Sequence, residues 1–320
     1  MRRVLATLIV LGVGGVLAAL LGVYFYNRPG PLVAPTAVIV PRGGLDGIAT
    51  ALAAAHVIDA GPVFQTAVIL TRSAGLPRAG EFEFPAAASL RQVLAILRTG
   101  RPVQHRLTVA EGLTAIQVVA LLIQAATLDG PAPELAEGSF LPQTYGFERG
   151  TTRATVANRG RAAMDRALDQ AWQGRSRDLP VTTSAELLTM ASIVERETAR
   201  PDERPHIAAA FYNRLRRGMK LQSDPTTIYA ISRTGLIDHP LTRAELDRDD
   251  PYNTYRAPGL PPGPICMPGV ASLMAAAHPD DSADLYFVAD GTGGHVFAAT
   301  QEAHLRNVAR WREIERGRAR

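Results

Sequence analysis

The sequence predicts an α+β protein in three parts: an N-terminal transmembrane helix, a small module of alternating strands and helices, and a larger mixed α+β domain. Three observations carry this reading. Residues 4–26 hold no charged side chain over 23 positions. Short period-two and helical apolar patterns then alternate as far as about residue 125. Beyond residue 180, two consecutive helical patterns flank a polar turn and lead towards a proline-rich loop. The expected boundaries are 1–27 for a cytoplasmic tip and span, 28–36 for a linker, 37–125 for a membrane-proximal module and 126–320 for the larger domain.

The composition supports a folded chain. With 320 residues there is room for about two domains, and 47% apolar against 20% charged residues argues against wholesale disorder. The net charge of +4 comes from arginines scattered among acids, and aromatics make up only 6%. Nucleic acid, which calls for a clustered basic stripe with stacking aromatics, is therefore not an expected partner. The single cysteine, Cys266, excludes an internal disulfide and reads as a small buried residue. The seven histidines include no pair at the spacing of a zinc helix, so no metal and no cofactor is expected.

Taken in order, residues 4–26 would span roughly 35 Å as a helix, enough to cross a hydrocarbon core of about 30 Å. Arg2 and Arg3 favour a cytoplasmic N-terminus, and Tyr24 and Tyr26 suit the outer interface. The run is longer than a signal peptide's apolar core and ends in Tyr24-Phe25-Tyr26 rather than at a small-x-small cleavage site. An anchor leaves the body of the protein outside the cytoplasm. Residues 27–35 form a Pro/Gly linker. Strands are expected at residues 37–41, 81–84 and 105–109, with helices through Ile48 and Leu52, through Leu90 to Leu97, and from Gly112 through Ile116 to Ile123. A polar helix follows from about Thr152 to Gly174. Further on come a short helix from Ser272 to His278, a hairpin turning at Asp290-Gly291, and a charged helix from Gln301 that stops before Gly317.

The chemistry is concentrated between residues 183 and 255. Thr183 with Glu186 has the form of a capping box, and the helix it opens is apolar almost all round, which marks a buried helix. Glu195 and Glu197 sit at its end. A carboxylate removed from water tends to raise its pKa and hold a proton, the state a general acid requires. The two glutamates lie about 200° apart around the helix, so at most one faces a given cleft. Alternatively the helix simply ends there, its carboxylates neutralised by Arg196, Arg200, Arg204 or Arg214. After a second helix with an apolar stripe at Ile207, Phe211 and Leu215, Gln222, Ser223 and Asp224 form an extended polar run before Pro225, suited to a sugar's hydroxyl and amide groups or to capping the next helix.

Seven ordered stretches carry a resemblance. They are Ala191-Ser192-Ile193-Val194-Glu195-Arg196-Glu197-Thr198, Phe211-Tyr212-Asn213-Arg214-Leu215, Leu221-Gln222-Ser223-Asp224-Pro225-Thr226 and Tyr252-Asn253-Thr254-Tyr255, then Gly259-Leu260-Pro261-Pro262-Gly263-Pro264-Ile265, Ala276-Ala277-His278-Pro279 and Leu285-Tyr286-Phe287-Val288-Ala289-Asp290-Gly291. Together they resemble the endolytic murein transglycosylase family, also called YceG-like. The resemblance implies a single-pass inner-membrane protein with a LysM-like module beside the membrane and a YceG-like catalytic domain in the periplasm or outer wall space. It implies cleavage of peptidoglycan glycan strands between N-acetylmuramic acid and N-acetylglucosamine without water. One carboxyl group protonates the glycosidic oxygen and then takes the proton of the muramyl C6 hydroxyl, closing a 1,6-anhydro ring. Lytic transglycosylases resemble one another in a Glu-Ser step near the end of the catalytic helix. Glu197-Thr198 is similar to it, which makes Glu197 the expected catalytic acid and Glu195 a supporting residue. By the same resemblance Asn213, Gln222, Ser223, Asp224, Asn253, Thr254 and Tyr255 are expected to hold the sugars or orient the acid. The implied partners are glycan strands, the cytoplasmic membrane and peptidoglycan synthases, with cleavage of nascent strands setting glycan length. The competing readings are a non-catalytic anchored wall-binding or scaffolding protein and a muramidase that hydrolyses the same bond.

Overall fold

The computed structural model describes residues 2–318. Met1, Ala319 and Arg320, which close the expected outer ranges, lie outside the described residues, as do the side chains of Arg2 and Ala6. The architecture is mixed α+β and divides into two compact units: Met1–His105 with Gly146–Thr151, and Arg106–Tyr145 with Thr152–Arg320.

In the first unit, helix α1 (Arg2–Asn27) is long and apolar enough to cross a membrane, by length and composition. Strand β1 (Thr36–Val40) pairs antiparallel with β2 (Gly80–Phe84), from Thr36↔Phe84 to Val40↔Gly80. The pleat sends Val38, Val40, Phe82 and Phe84 to one face, where α2 (Leu45–Ala54), α3 (Gly61–Leu70) and α4 (Leu90–Thr99) cover them with Leu52, Phe64, Leu94 and Leu97. Each of those large side chains contributes about 1.5–3 kcal/mol by leaving water. Sequence patterning had no expectation for α3, because the two polar residues of GPVFQTAVIL, Gln65 and Thr66, are adjacent and mark no helical period. On the outer face of β2, Glu81 accepts from His105 at 2.6 Å and from Arg149 at 2.9 Å.

Strand β3 (Gln104–Thr108) pairs with β4 (Thr144–Glu148), which the sequence pattern did not mark as a strand. The second unit continues with α5 (Ala115–Gln124), α6 (Arg153–Gly174), α7 (Ser184–Glu197), α8 (Arg204–Arg216), α9 (Asp224–Ile231), α10 (Arg243–Leu246) and α11 (Val270–Ala277). Strands β5 (Tyr286–Ala289) and β6 (His295–Ala298) form the hairpin that Asp290-Gly291 signals, and α12 (Gln301–Arg318) follows. Helix α12 runs through Gly317 rather than stopping before it; an exposed glycine costs a helix only about 1 kcal/mol. Helix α11 opens two residues early, at Val270 with Gly269 as its cap, and α5 starts at Ala115, where Gln117 Oε1 accepts from Thr114 N at 2.9 Å, rather than at Gly112.

The core of the second unit forms around α7. Its Leu187, Met190, Ala191, Ile193 and Val194 are fully buried against Ile207 and Phe211 of α8 and Leu273 and Ala276 of α11. The Thr183–Glu186 capping box is present in full and fixes where this helix begins. A helix enclosed on all sides has little freedom to shift, so the residue at its far end is held in a fixed place.

Candidate active site

Glu197 is the last residue of α7, and Thr198 follows in extended conformation. Its side chain is half-buried and its Oε2 accepts from Ser223 Oγ at 2.9 Å. Burial pushes the Glu197 carboxyl up from 4.5 to about 7; the Ser223 hydrogen bond and the charge of Arg214 oppose this, and the charge of Asp224 adds to it. The C-terminal end of a helix works in the same direction, because its carbonyl dipoles disfavour an anion. Near neutral pH the group therefore divides its time between acid and carboxylate.

Ser223 is held by its backbone. Its N–H donates to Thr254 Oγ1 at 3.0 Å, its carbonyl accepts from Thr226 Oγ1 at 2.7 Å, and the two threonine hydroxyls meet at 2.8 Å. All three residues are buried. The preceding residue, Gln222, has φ +49°, donates its N–H to Thr254 O at 3.2 Å, and leaves its side chain exposed. A non-glycine residue in the left-handed region costs of order 1 kcal/mol, and this one turns the chain so that Ser223 meets Glu197. The expected extended run is thus broken at Gln222. Asp224 is the first residue of α9 despite the proline after it, with Pro225 at the second position. Asp224 Oδ1 accepts from Tyr255 O–H at 2.6 Å, and burial and the Asp224 charge push the Tyr255 phenol up, so it remains a donor.

Other expected residues stand behind the cluster or apart from it. Asn253 is fully buried: Oδ1 accepts from Thr227 Oγ1 at 2.9 Å and Tyr255 N at 3.1 Å, while Nδ2 donates to Leu246 O at 3.0 Å and Arg248 O at 2.8 Å. It shapes the loop that presents Thr254 and Tyr255. Asn213 donates to Ser282 O at 2.6 Å and Asp284 O at 3.0 Å, which ties α8 to the strand β5 entry and keeps the amide away from Glu197. Glu195 points elsewhere, as its angle on the helix requires. Its side chain is 4% exposed, pairs with Arg204 at 3.0 Å and accepts from Gly269 N, at the positive N-terminal end of α11, at 2.9 Å. Arg196 and Arg200 pair with neither glutamate: Arg196 donates to Gly112 O and Gly235 O, and Arg200 meets Asp202.

Arg214 was weighed in the sequence only as a neutralising charge, and its place is more specific. It is buried, donates Nε to Leu285 O at 2.6 Å and NH1 to Leu221 O, and burial holds its pKa below the usual guanidinium range against the pull of Glu197. Its position three residues after Phe211 and seven after Ile207 puts it on the apolar face of α8, and that was the available signal. A second unforeseen tie joins Glu203 to His295 N at 2.9 Å, His295 Nδ1 at 2.8 Å and Thr198 Oγ1 at 3.2 Å, bracing the residue next to Glu197 against the hairpin. Among the described residues no group of three or more His, Cys, Asp or Glu side chains could hold a metal ion. Cys266 is fully buried and burial pushes its thiol up.

Sequence and structure comparisons agree with one another. The sequence model of the YceG-like family matches residues 38–310. An endolytic murein transglycosylase of Streptococcus pneumoniae serotype 2 (strain D39) is 40% identical over 185 residues, covering 57% of this chain and 33% of the relative. One from Bacillus subtilis (strain 168) is 38% identical over 168 residues, covering 52% of this chain and 46% of the relative. The chain thus spans between a third and a half of the length of these curated relatives. The crystal structure of a yceG-like protein from Listeria monocytogenes superposes with a TM-score of 0.54 at 29% identity, over 86% of this chain and 99% of that one. The chain belongs to the YceG-like family.

Proposed function

We propose that this member of the YceG-like family is a membrane-anchored endolytic lytic transglycosylase that cuts nascent peptidoglycan strands between N-acetylmuramic acid and N-acetylglucosamine. The single observation that carries the reading is Glu197, a half-buried carboxyl raised to about 7 and aligned by Ser223 at 2.9 Å. The printed names of the relatives support the same substrate class. In this account residues 37–125 form a LysM-like module and 126–320 the catalytic domain. Residues 4–26 span the cytoplasmic membrane with the N-terminus inside, and the protein works beside peptidoglycan synthases as a terminase that sets strand length.

The reaction follows from one proton. Protonated Glu197 donates to the glycosidic oxygen as the bond to muramyl C1 breaks, and the glucosamine leaves with a free 4-hydroxyl. Positive charge develops at C1, and the fixed negative charge of Asp224, steadied by Tyr255, favours both that cation and the proton on Glu197 beforehand. The new Glu197 carboxylate keeps the Ser223 hydrogen bond on Oε2 and takes the proton of the muramyl C6 hydroxyl as O6 bonds to C1. The ring closes, Glu197 is again protonated, and no water is consumed. Hydrolytic glycosidases need a second carboxylate to activate water or attack the sugar. Here a carboxyl with a pKa near the working pH serves in both directions.

The test is digestion of purified peptidoglycan by the wild type, Glu197→Gln and Glu195→Gln, with the products weighed. Anhydro-muramyl ends from the wild type, none from Glu197→Gln and a partial yield from Glu195→Gln are expected. Activity that survives Glu197→Gln and vanishes in Glu195→Gln would move the acid to Glu195. No cleavage by the folded wild type would leave an anchored wall-binding protein.

A further inference from the structure

Helix α3 raises a physical difficulty that the proposed function does not address. Its inner stripe, Phe64, Ala67 and Val68, is buried in the core of the first unit. Its outer stripe is apolar at Val63, Ile69 and Leu70, which are 44%, 59% and 78% exposed, with the Thr66 hydroxyl between them turned back onto Pro62 O at 2.9 Å. Over its ten residues, GPVFQTAVIL, there is no charge at all. A helix without a charged face is ordinarily enclosed on more than one side, and this one is enclosed on one. Isolated exposed apolar residues need no explanation, but a continuous charge-free face does.

What adjoins this face is α1. Val63 and Leu70 line one apolar gap of about 600 Å³ with Ala18, Gly22 and Val23 of α1. Val63 also lines a smaller cavity, of about 150 Å³, with Phe25 and Arg28 at the end of α1. If residues 4–26 span the bilayer, Ala18 lies roughly 12 Å along the helix from Tyr26, well within the outer half of a core about 30 Å thick. The exposed side of α3 therefore borders a surface already assigned to lipid. Charges flank α3 at its two ends, and a further one, Asp46 of α2, accepts from Gln65 Nε2 at 2.6 Å in the middle of the helix. Before it, Asp59 pairs with Arg28; after it comes Arg72, whose long stem lets its guanidinium reach phosphates while the carbons stay in the apolar layer.

We propose that α3 is a second membrane contact: an interfacial helix that lies at the headgroup–acyl boundary of the outer leaflet, with Val63, Ile69 and Leu70 in the acyl layer and acyl chains filling the gap beside Ala18 and Gly22. The first unit is then seated in the membrane surface, and a single-pass anchor gains a second attachment that resists rotation about the helix axis. This rests on the reading of α1 as the anchor, and the experiment keeps the two apart.

Single cysteines are placed in the full chain in phosphatidylglycerol/phosphatidylethanolamine nanodiscs at Leu70, Ile69, Leu11 in mid-span, and Glu83 on the outward side of β2, each carrying an NBD fluorophore. Native Cys266 is buried and gives the unlabelled background. Lipids bearing a nitroxide high on the acyl chain serve as the quencher. Blue-shifted emission with strong loss at Leu70→Cys and Ile69→Cys, alongside unquenched, water-like emission at Glu83→Cys, is the expected result. Quenching at Leu11→Cys with water-like emission at both α3 sites would overturn the interfacial helix and leave the anchor standing. Water-like emission at Leu11→Cys as well would overturn both. Val63→Cys repeats the α3 reading should a label at the helix end disturb its last turn.

Discussion

Replacing Glu197 by Gln should stabilise the fold as it removes activity. The carboxyl is moved from an ordinary 4.5 to about 7, chiefly by burial. A carboxyl raised in this way is fully accommodated below its unfolded value, where both states carry the proton. Between the unfolded and folded values the native state keeps a proton that the unfolded chain has already lost, so stability falls from about pH 4.5 to about pH 7 and levels off above that. Linkage makes that cost under about 1 kcal/mol at pH 5 and about 3 kcal/mol at pH 8. Gln has the shape of the protonated acid, can still accept from Ser223 and escapes the charge altogether. Thermal unfolding of the full chain in detergent, variant against wild type, should show a gain of only about 2–3 °C at pH 5. At pH 8 the gain should be about 5–10 °C for a domain of this size. An equal gain at both pH values, or none at pH 8, would mean that Glu197 is an ordinary carboxylate with no proton to offer near neutrality, and the single-acid mechanism would lose its basis.

Other outcomes follow from the same contacts. Asp224→Asn removes a negative charge that raises Glu197, so the alkaline limb of the pH–rate profile for peptidoglycan cleavage should move to lower pH. Arg204→Met strips the partner from Glu195, whose side chain is 4% exposed, and should cost about 3–5 kcal/mol in denaturant unfolding, while the alkaline limb stays where it was in whatever folded protein remains. Thr254→Val deletes the acceptor of Ser223 N–H inside a buried network. It should cost about 1–3 kcal/mol of stability and lower the rate by loosening the Ser223–Glu197 bond, read from unfolding and cleavage assays on the same sample. Gln222→Gly relieves a φ of +49° and should stabilise the fold by up to about 1 kcal/mol. Slower cleavage in the stabler variant would mark the exposed amide as a sugar contact, and unchanged cleavage would leave Gln222 a turn residue only.

Much of the second unit was legible because its signals are local. The Thr183–Glu186 box, the apolar circumference of α7 and the Asp290-Gly291 turn each specify a short element without help from distant parts of the chain. The angular separation of Glu195 and Glu197 also has a local cause, and their side chains do face different neighbours: Arg204 and Gly269 for one, Ser223 for the other. What could not be read depends on contacts far apart in sequence. Asn213 looked like one more polar residue on a motif, but its amide is used by carbonyls at 282 and 284. Thr226 and Thr254, 28 residues apart, meet only through the fold, and Gln222 takes a left-handed backbone because Thr254 O is there to receive its N–H. Helix α3 was missed for the opposite reason, since its only polar side chains, Gln65 and Thr66, are adjacent and leave no period to detect.

The central claim is that the C6 hydroxyl of the substrate, and not water, closes the reaction at Glu197. Digesting peptidoglycan in water enriched in oxygen-18 and weighing the new muramyl ends tests it most directly. The account predicts ends lighter by one water than the hydrolysed sugar and free of the heavy isotope. Reducing ends that carry oxygen-18 would show that water had attacked C1, and a hydrolase would stand in place of the transglycosylase.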